Sequence, residues 1–187
     1  MISFIPIMGI KKIHKGDDLA QLIFEQLDDM LPLSETDCFV VASKVVAKAQ
    51  GKVEKLDSET KADVVKRESK RILRKRDGLI ISETQHGFIC ANAGIDESNV
   101  EDGHIVLLPD DLDSSAHGLR MSLKNKTGVD CSVIISDTFG RPFRMGETNV
   151  ALGYSGLNSF VDLRGKKDFY GHDLVSTTIA IADEIAS

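Results

Sequence analysis

The chain has only three cysteines in 187 residues, Cys38, Cys90 and Cys131, widely separated and each set in an apolar run. An odd, scattered count fits neither a disulfide framework nor a zinc site, so buried free thiols are expected. Thiols that stay reduced fit a cytoplasmic protein. No apolar stretch approaches the length that crosses a bilayer, so no membrane association is expected. The amino terminus lacks a charged leader and a cleavage site, so it does not read as a signal peptide. Internal repeats, low-complexity tracts and a convincing linker are missing as well. So are the run G-x-x-x-x-G-K-[ST], the run G-x-G-x-x-G and the nucleophile elbow Gly-x-Ser-x-Gly. None of the five histidines has a partner at catalytic or metal-binding spacing.

A length of 187 residues makes one domain the default, with room for two lobes, and 42% hydrophobic residues suffice for a core. The formal charge of -6 argues against general nucleic-acid affinity. That charge is unevenly spread: Lys61 to Arg76 holds eight Lys or Arg against two acids. The block reads as the solvated face of a helix, or as a surface that attracts an anionic substrate, RNA or an acidic partner.

Periodicity predicts a strand over Ser3 to Ile7, then a turn through Met8 to Lys12. Asp17 and Asp18 open an amphipathic helix carrying Leu19, Leu22, Ile23, Leu27 and Met30, with Pro32 past its end. Cys38 to Ala42 reads as a buried strand that hands over to Ser43 to Ala49, with Gly51 as a stop. Thr60 to Lys75 reads as a basic helix with the weak apolar stripe Val65, Ile72, Leu73. Leu79 to Ser82 and Gly87 to Ala91 form a hairpin, and His104 to Leu108 a further strand. Asp113 and Ser114 cap a helix to about Lys124. Ser132 to Ser136 and Asn149 to Tyr154 read as strands, and Asp173 to Ala186 as a helix despite its β-branched start. Helices alternate with strands, but hairpins interrupt them. The expected class is therefore α/β of the mixed α+β kind, a mixed sheet with hairpins and flanking helices.

Two aspartate motifs carry the chemistry. Asn92-Ala93-Gly94-Ile95-Asp96-Glu97-Ser98-Asn99 and Ser136-Asp137-Thr138-Phe139-Gly140-Arg141-Pro142-Phe143-Arg144 each place a carboxylate after an apolar run, among small residues. Asp96, Asp137 and the Thr138 hydroxyl are hard oxygen donors suited to Mg²⁺ or Mn²⁺ beside substrate phosphates. The alternative is that both acids cap turns. Arg141 and Arg144 suit a phosphate or carboxylate, or ordinary surface pairing. Ser43, Lys44 and Lys48 stand where a strand passes into a helix, a place where backbone N–H groups and Lys charge hold phosphate. Exposed side chains are the alternative there too.

These motifs resemble, in order and over nearly the whole chain, the coenzyme F420-0:L-glutamate ligase family, the γ-glutamyl ligases of deazaflavin coenzyme biosynthesis. The likeness runs from Phe4-Ile5-Pro6-Ile7-Met8-Gly9-Ile10 through Val40-Val41-Ala42-Ser43-Lys44 and the two aspartate motifs. It ends in Arg164-Gly165-Lys166-Lys167-Asp168-Phe169-Tyr170-Gly171 and Ala182-Asp183-Glu184-Ile185-Ala186. The resemblance implies a γ-glutamyl-ligase-like fold and GTP-dependent amide formation. GTP phosphorylates the lactyl carboxylate of coenzyme F420-0, and the amine of L-glutamate displaces the phosphate. It further implies that Asp96, Asp137 and Thr138 hold Mg²⁺ or Mn²⁺, and that Asp96, Asp137 and Arg141 are catalytic. Met8, Gly9, Ile10, Lys11, Ser43, Lys44, Lys48 and Asn99 would contact GTP, in a homodimer. Two departures accompany it. Ala47-Lys48-Ala49-Gln50-Gly51 replaces the family's Ser-Lys-Ala-Glu-Gly, and the sequence ends at Ser187, before a segment the family adds to the nucleotide and metal site. Those departures favour a second expectation, a non-catalytic or accessory nucleotide-binding homologue. A third keeps the site but takes another anionic carboxylate substrate.

Overall fold

The computed structural model describes residues 2–27 and 32–187. Its centre is a mixed three-stranded sheet in the order β1-β7-β8. Strands β1 (Cys38–Ala42) and β7 (Ser132–Gly140) run parallel, Cys38 opposite Ser132 and Ala42 opposite Ser136. β8 (Glu147–Ser155) folds back antiparallel on β7, with an irregularity between Ile135 and Ser136. Side chains of a strand alternate between faces. Val133 and Ile135 therefore bury into one layer with Ala20, Ile23, Val46, Leu112, Ala116 and Leu123, from helices α1 (Leu19–Phe24), α2 (Ser43–Gln50) and α4 (Leu112–Thr127). Ile134 points the other way, onto Ala182 and Ala186 of α5 (Ile181–Ala186). Ile134 and Ile135 are fully buried, and each such side chain contributes roughly 1.5–3 kcal/mol over an exposed one.

A second core lies under a meander of β3 (Ser69–Arg76), β4 (Leu79–Thr84) and β5 (Ile89–Ala91). It gathers Val64 and Val65 of α3 (Lys61–Arg67) with Ile80, Ala93, Ile95, Ile105 and Leu107. β2 (Val53–Lys55) pairs antiparallel with β6 (His104–Val106) and joins this core to the end of α2. β9 (Val161–Asp162) and β10 (Thr178–Ile179) close a long hairpin before α5. The class is mixed α+β, as the interleaved hairpins imply.

Several elements differ from the sequence-based reading. Ser3 to Ile7 forms no strand: no neighbour offers it a ladder, Phe4 and Ile5 are exposed, and only Ile7 packs on the core. The first helix begins at the Asp18 cap but stops at Phe24, and Met30 falls outside the described residues. The basic stretch is split. Thr60 and Asp63 form a reciprocal capping box, α3 ends at Arg67, and Ser69 to Arg76 becomes an edge strand on β4. The thin apolar stripe could not hold a longer helix, whereas pairing with β4 supplies a full ladder. Asp111, not Asp113, caps α4 by accepting from the Ser114 N–H at 2.8 Å, and Asp113 instead accepts from Tyr154 N. The last helix occupies only Ile181–Ala186. The β-branched residues before it run extended into β10.

Candidate functional site

β1 ends opposite Ser136, so the next residue of β7, Asp137, opens onto the crevice beyond the carboxyl ends of the two parallel strands. That is the usual ligand position in sheets with parallel strands. Asp137 is not at a strand end, as its motif suggests. It lies within β7, paired with Val150, because β8 extends the ladder to Gly140. It projects to the same face as Ile135 and Phe139, where the Ser43 hydroxyl lies against it. Burial is the main influence raising its pKa above the ordinary carboxylate value, and the charge of Asp96 adds to it. The Thr138 N–H at 2.9 Å and the Lys44 charge oppose the rise.

Asp96 reaches the crevice from the second core. Asn92, Ala93 and Gly94 all have positive φ (49°, 54° and 74°), which turns the chain sharply out of β5. The Asn92 side chain braces that turn by accepting from Ile80 N at 3.1 Å. Reciprocal backbone bonds between Asp96 and Val106 then fix the residue beside β6. Burial works against the Asp96 charge, but Lys44 and the two Ser98 hydrogen bonds outweigh it, so its pKa lies below the ordinary value.

Helix α2 faces the two carboxylates. Its N-cap, Ala42, offers no side-chain acceptor, and Ser43 and Lys44 form its first turn. Lys44 and Lys48 are one turn apart, so they share a face. Lys44 forms an ion pair with Asp96 and donates to Ser98 Oγ at 2.6 Å. Lys48 donates to the carbonyl of Asn99, itself at φ +57°. Burial lowers the Lys48 pKa, and the charges of Lys44 and Lys12 lower it further. Lys44 and Lys48 therefore stand at this crevice, and the Lys12 charge is near enough to act on Lys48. The loop of Met8, Gly9, Ile10 and Lys11 is brought near by the Gly16 N–H, which donates to Ala49 O of α2 at 2.8 Å. Gly9 has φ +83°, and a Cβ there would collide with Gln26. Lys11 pairs with Asp17 at 3.5 Å, and Met8 is exposed.

Two expected residues stand elsewhere. Thr138 leaves β7 on the face opposite Asp137, and its hydroxyl is bonded to Asn149 Oδ1 at 2.8 Å. Arg141 sits at the exposed β7–β8 tip, where its guanidinium donates to Met145 O at 2.6 Å. Residues the sequence reading passed over include Ser98, Lys12 and Cys90. Ser98 was detectable: Asp-x-Ser favours a turn in which the carboxylate accepts from the N–H two residues on, found here at 2.7 Å. Lys12 and Cys90 had no local signal. Cys90 is buried, and its thiol pKa is pushed up to about 11 by burial and then by the Asp137 charge.

Among the described residues no three His, Cys, Asp or Glu side chains gather into a metal cage. The residues fit a hard divalent cation in that Asp96 already holds the Lys44 cation, whose charge is also felt by Asp137. Mg²⁺ commonly takes one or two protein carboxylates and completes its shell with water and phosphate oxygens. Asp96 and Asp137 are thus the residues that would hold such an ion, with the lysines beside its phosphates.

A family model described as F420-0:Gamma-glutamyl ligase matches residues 8–187. A protein of Methanothermobacter thermautotrophicus named coenzyme F420:L-glutamate ligase is 42% identical over all of this chain and 81% of its own length. Proteins of the same name from Methanopyrus kandleri and Methanocaldococcus jannaschii are 41% and 36% identical, over 97% and 98% of this chain and 77% and 80% of their own lengths.

Proposed function

The chain belongs to the F420-0:gamma-glutamyl ligase family, and from that premise we propose that it joins L-glutamate to the lactyl carboxylate of coenzyme F420-0 at the expense of GTP. A carboxylate is a poor electrophile, so it must first acquire a leaving group. The carboxylate oxygen attacks the γ-phosphorus of GTP, GDP departs, and an acyl phosphate forms on the substrate. The glutamate amine then attacks the acyl carbon, phosphate leaves, and the amine proton passes to solvent. The product is an amide, with GDP and phosphate.

The observation that carries this reading is that Lys44 pairs with Asp96 and Lys48 holds the Asn99 carbonyl, one helical turn apart, on the crevice that Asp137 also faces, with the Lys12 charge acting on Lys48. The lysines neutralise a polyphosphate and steer it to the mouth of the parallel strands. The Met8–Lys11 loop borders the nucleotide, with Gly9 keeping its backbone close to Gln26. Ser43 and Asn99 flank the phosphates. Asp96 and Asp137 would hold a Mg²⁺ or Mn²⁺ ion, which would supply the charge neutralisation that phosphoryl transfer requires. Thr138 braces the opposite face of β7 through Asn149, and Arg141, at the exposed hairpin tip, would have to leave the Met145 carbonyl to meet the anionic substrate.

The working protein is a homodimer in this reading. Phe143, Met145, Phe169 and Tyr170 are almost wholly exposed, and covering them would remove a large apolar surface from water. No helix among the described residues is long and apolar enough to cross a membrane. The three free thiols accord with a reducing cytoplasm.

Incubation with F420-0, L-glutamate, GTP and Mn²⁺, followed by mass spectrometry, tests the assignment. The expected product carries added glutamyl units, with one GDP formed per amide. GTP binding without any glutamyl addition, beside an active relative, would instead mark a nucleotide-binding homologue.

A further inference from the structure

Both oxygens of Asp96 are already committed. Oδ1 accepts from the Ser98 N–H at 2.7 Å. Oδ2 accepts the Ser98 hydroxyl at 3.0 Å and forms the ion pair with Lys44. Lys44 also donates to Ser98 Oγ at 2.6 Å, so ammonium, hydroxyl and carboxylate close a triangle that engages two of the three ammonium protons and the hydroxyl proton. The Lys44 and Asp96 side chains keep only 29% and 33% of their exposure, so the pair is screened less than a surface pair. Asp137 senses both charges. The ammonium thus balances the Asp96 charge, and its field reaches Asp137.

We propose that Lys44 is a resident counter-cation that competes with the divalent ion for Asp96 and gives way when a phosphate offers its ammonium another partner. The inference rests on the reading of Asp96 and Asp137 as metal-holding residues and adds how that site stays neutral beforehand. A dication and an ammonium cannot share Asp96 Oδ2 at contact distance without strong repulsion. Lysine is suited to the exchange, since its flexible stem carries three rotatable donors that serve a carboxylate or a phosphate equally well. Lys48 is engaged elsewhere, donating to the Asn99 carbonyl. Phosphate arrival and metal entry are therefore coupled through one side chain.

Mn²⁺ binding by the intact protein, followed by electron paramagnetic resonance without nucleotide, tests this without measuring turnover. Lys44→Met removes the competitor, so its Mn²⁺ affinity is expected to rise roughly 10-fold over wild type, while Lys44→Arg keeps the charge and stays within about 2-fold. Circular dichroism confirms that each variant is folded. Equal or weaker Mn²⁺ binding by Lys44→Met, with wild-type binding that Asp137→Ala abolishes, would overturn the competition and leave the metal site standing. Should neither wild type nor Lys44→Met show Mn²⁺ binding that depends on Asp137, the metal reading fails and the exchange with it.

Discussion

Gln50 donates its side-chain amide to Ser115 Oγ at 2.8 Å, tying the last residue of α2 to the first turn of α4. The Ser115 hydroxyl spends its own proton on the Asp111 carbonyl. The two helices are thus joined by a chain with one donor per link, next to a small cavity that Asp17 and Asp18 also line.

Gln50→Glu removes the donating end of that chain. The new carboxylate must compete with Asp111 O for the single Ser115 proton, and it adds charge near two acids. The expected cost is about 1 kcal/mol, a fall of roughly 2–4 °C in Tm at neutral pH. An unchanged melting curve would show that the link carries no stability.

Asp137 and Asp96 are expected to respond oppositely to neutralisation. Burial raises the folded pKa of Asp137, so the native state binds its proton more tightly than the unfolded chain does. Its contribution to stability is then greatest below the unfolded value and declines as pH rises through the raised one. Asp96 is depressed once Lys44 and Ser98 have outweighed its burial. Its contribution is present above the unfolded value and lost as pH falls through the folded one. Asp137→Asn should therefore raise Tm at pH 7, and Asp96→Asn should lower it. Both should reduce ligation at least ~100-fold, since each removes a charge that the reaction needs. Thermal melts of the pair beside turnover assays decide the matter, and shifts of the same sign would contradict the electrostatic account.

Gly94 and Gly103 have nearly the same backbone, φ +74° and +75°, but different surroundings. A Cβ on Gly94 would lie 2.8 Å from Leu108 Cδ1, whereas nothing lies within 4 Å of one on Gly103. Gly103→Ala should cost only the left-handed strain, of order 1 kcal/mol. Gly94→Ala should cost roughly 1–3 kcal/mol more through overpacking, and it should also weaken Mn²⁺ binding because Asp96 follows two residues on. Denaturant melts give the first difference and metal titration the second. Equal effects at the two sites would remove Leu108 from the argument.

Arg71 lies directly opposite Glu83 in the β3–β4 ladder, and the two form an ion pair at 2.5 Å. Lys70 approaches the same carboxylate at 3.6 Å. Arg71→Glu would set like charges across the strands, which costs up to about 1 kcal/mol. The loss should appear as a lower Tm with the KM for F420-0 unchanged, since this arginine is committed to the ladder. A raised KM at constant stability would return the basic block to substrate binding.

The sequence resolved what local rules control. Cys38 to Ala42 read correctly as a strand, although only Phe39 in it is buried, and Ser43 to Ala49 as the helix-like segment after it, stopped by Gly51 at φ +77°. The β4–β5 hairpin was legible from its flanking turn residues. Ser69 to Arg76 was not, since its composition suits helix or strand and the presence of β4 decided between them. Asp113 was the cap its sequence position suggested, but Asp111 takes that role and Asp113 accepts from the Tyr154 N–H of β8, a partner no local pattern reveals.

The same division holds at the site. The sequence alone supplied the donor chemistry: two aspartates among small residues, lysines one helical turn apart, and motif order enough to reveal the family. Only the tertiary structure decided that Lys44 meets Asp96, that Lys12 joins Lys48, and that Thr138 turns away from Asp137. Residue type and spacing fix backbone preference over a few positions. The partner a side chain meets depends on which strand lies beside it and which face it takes, and those follow from burying two separate cores at once.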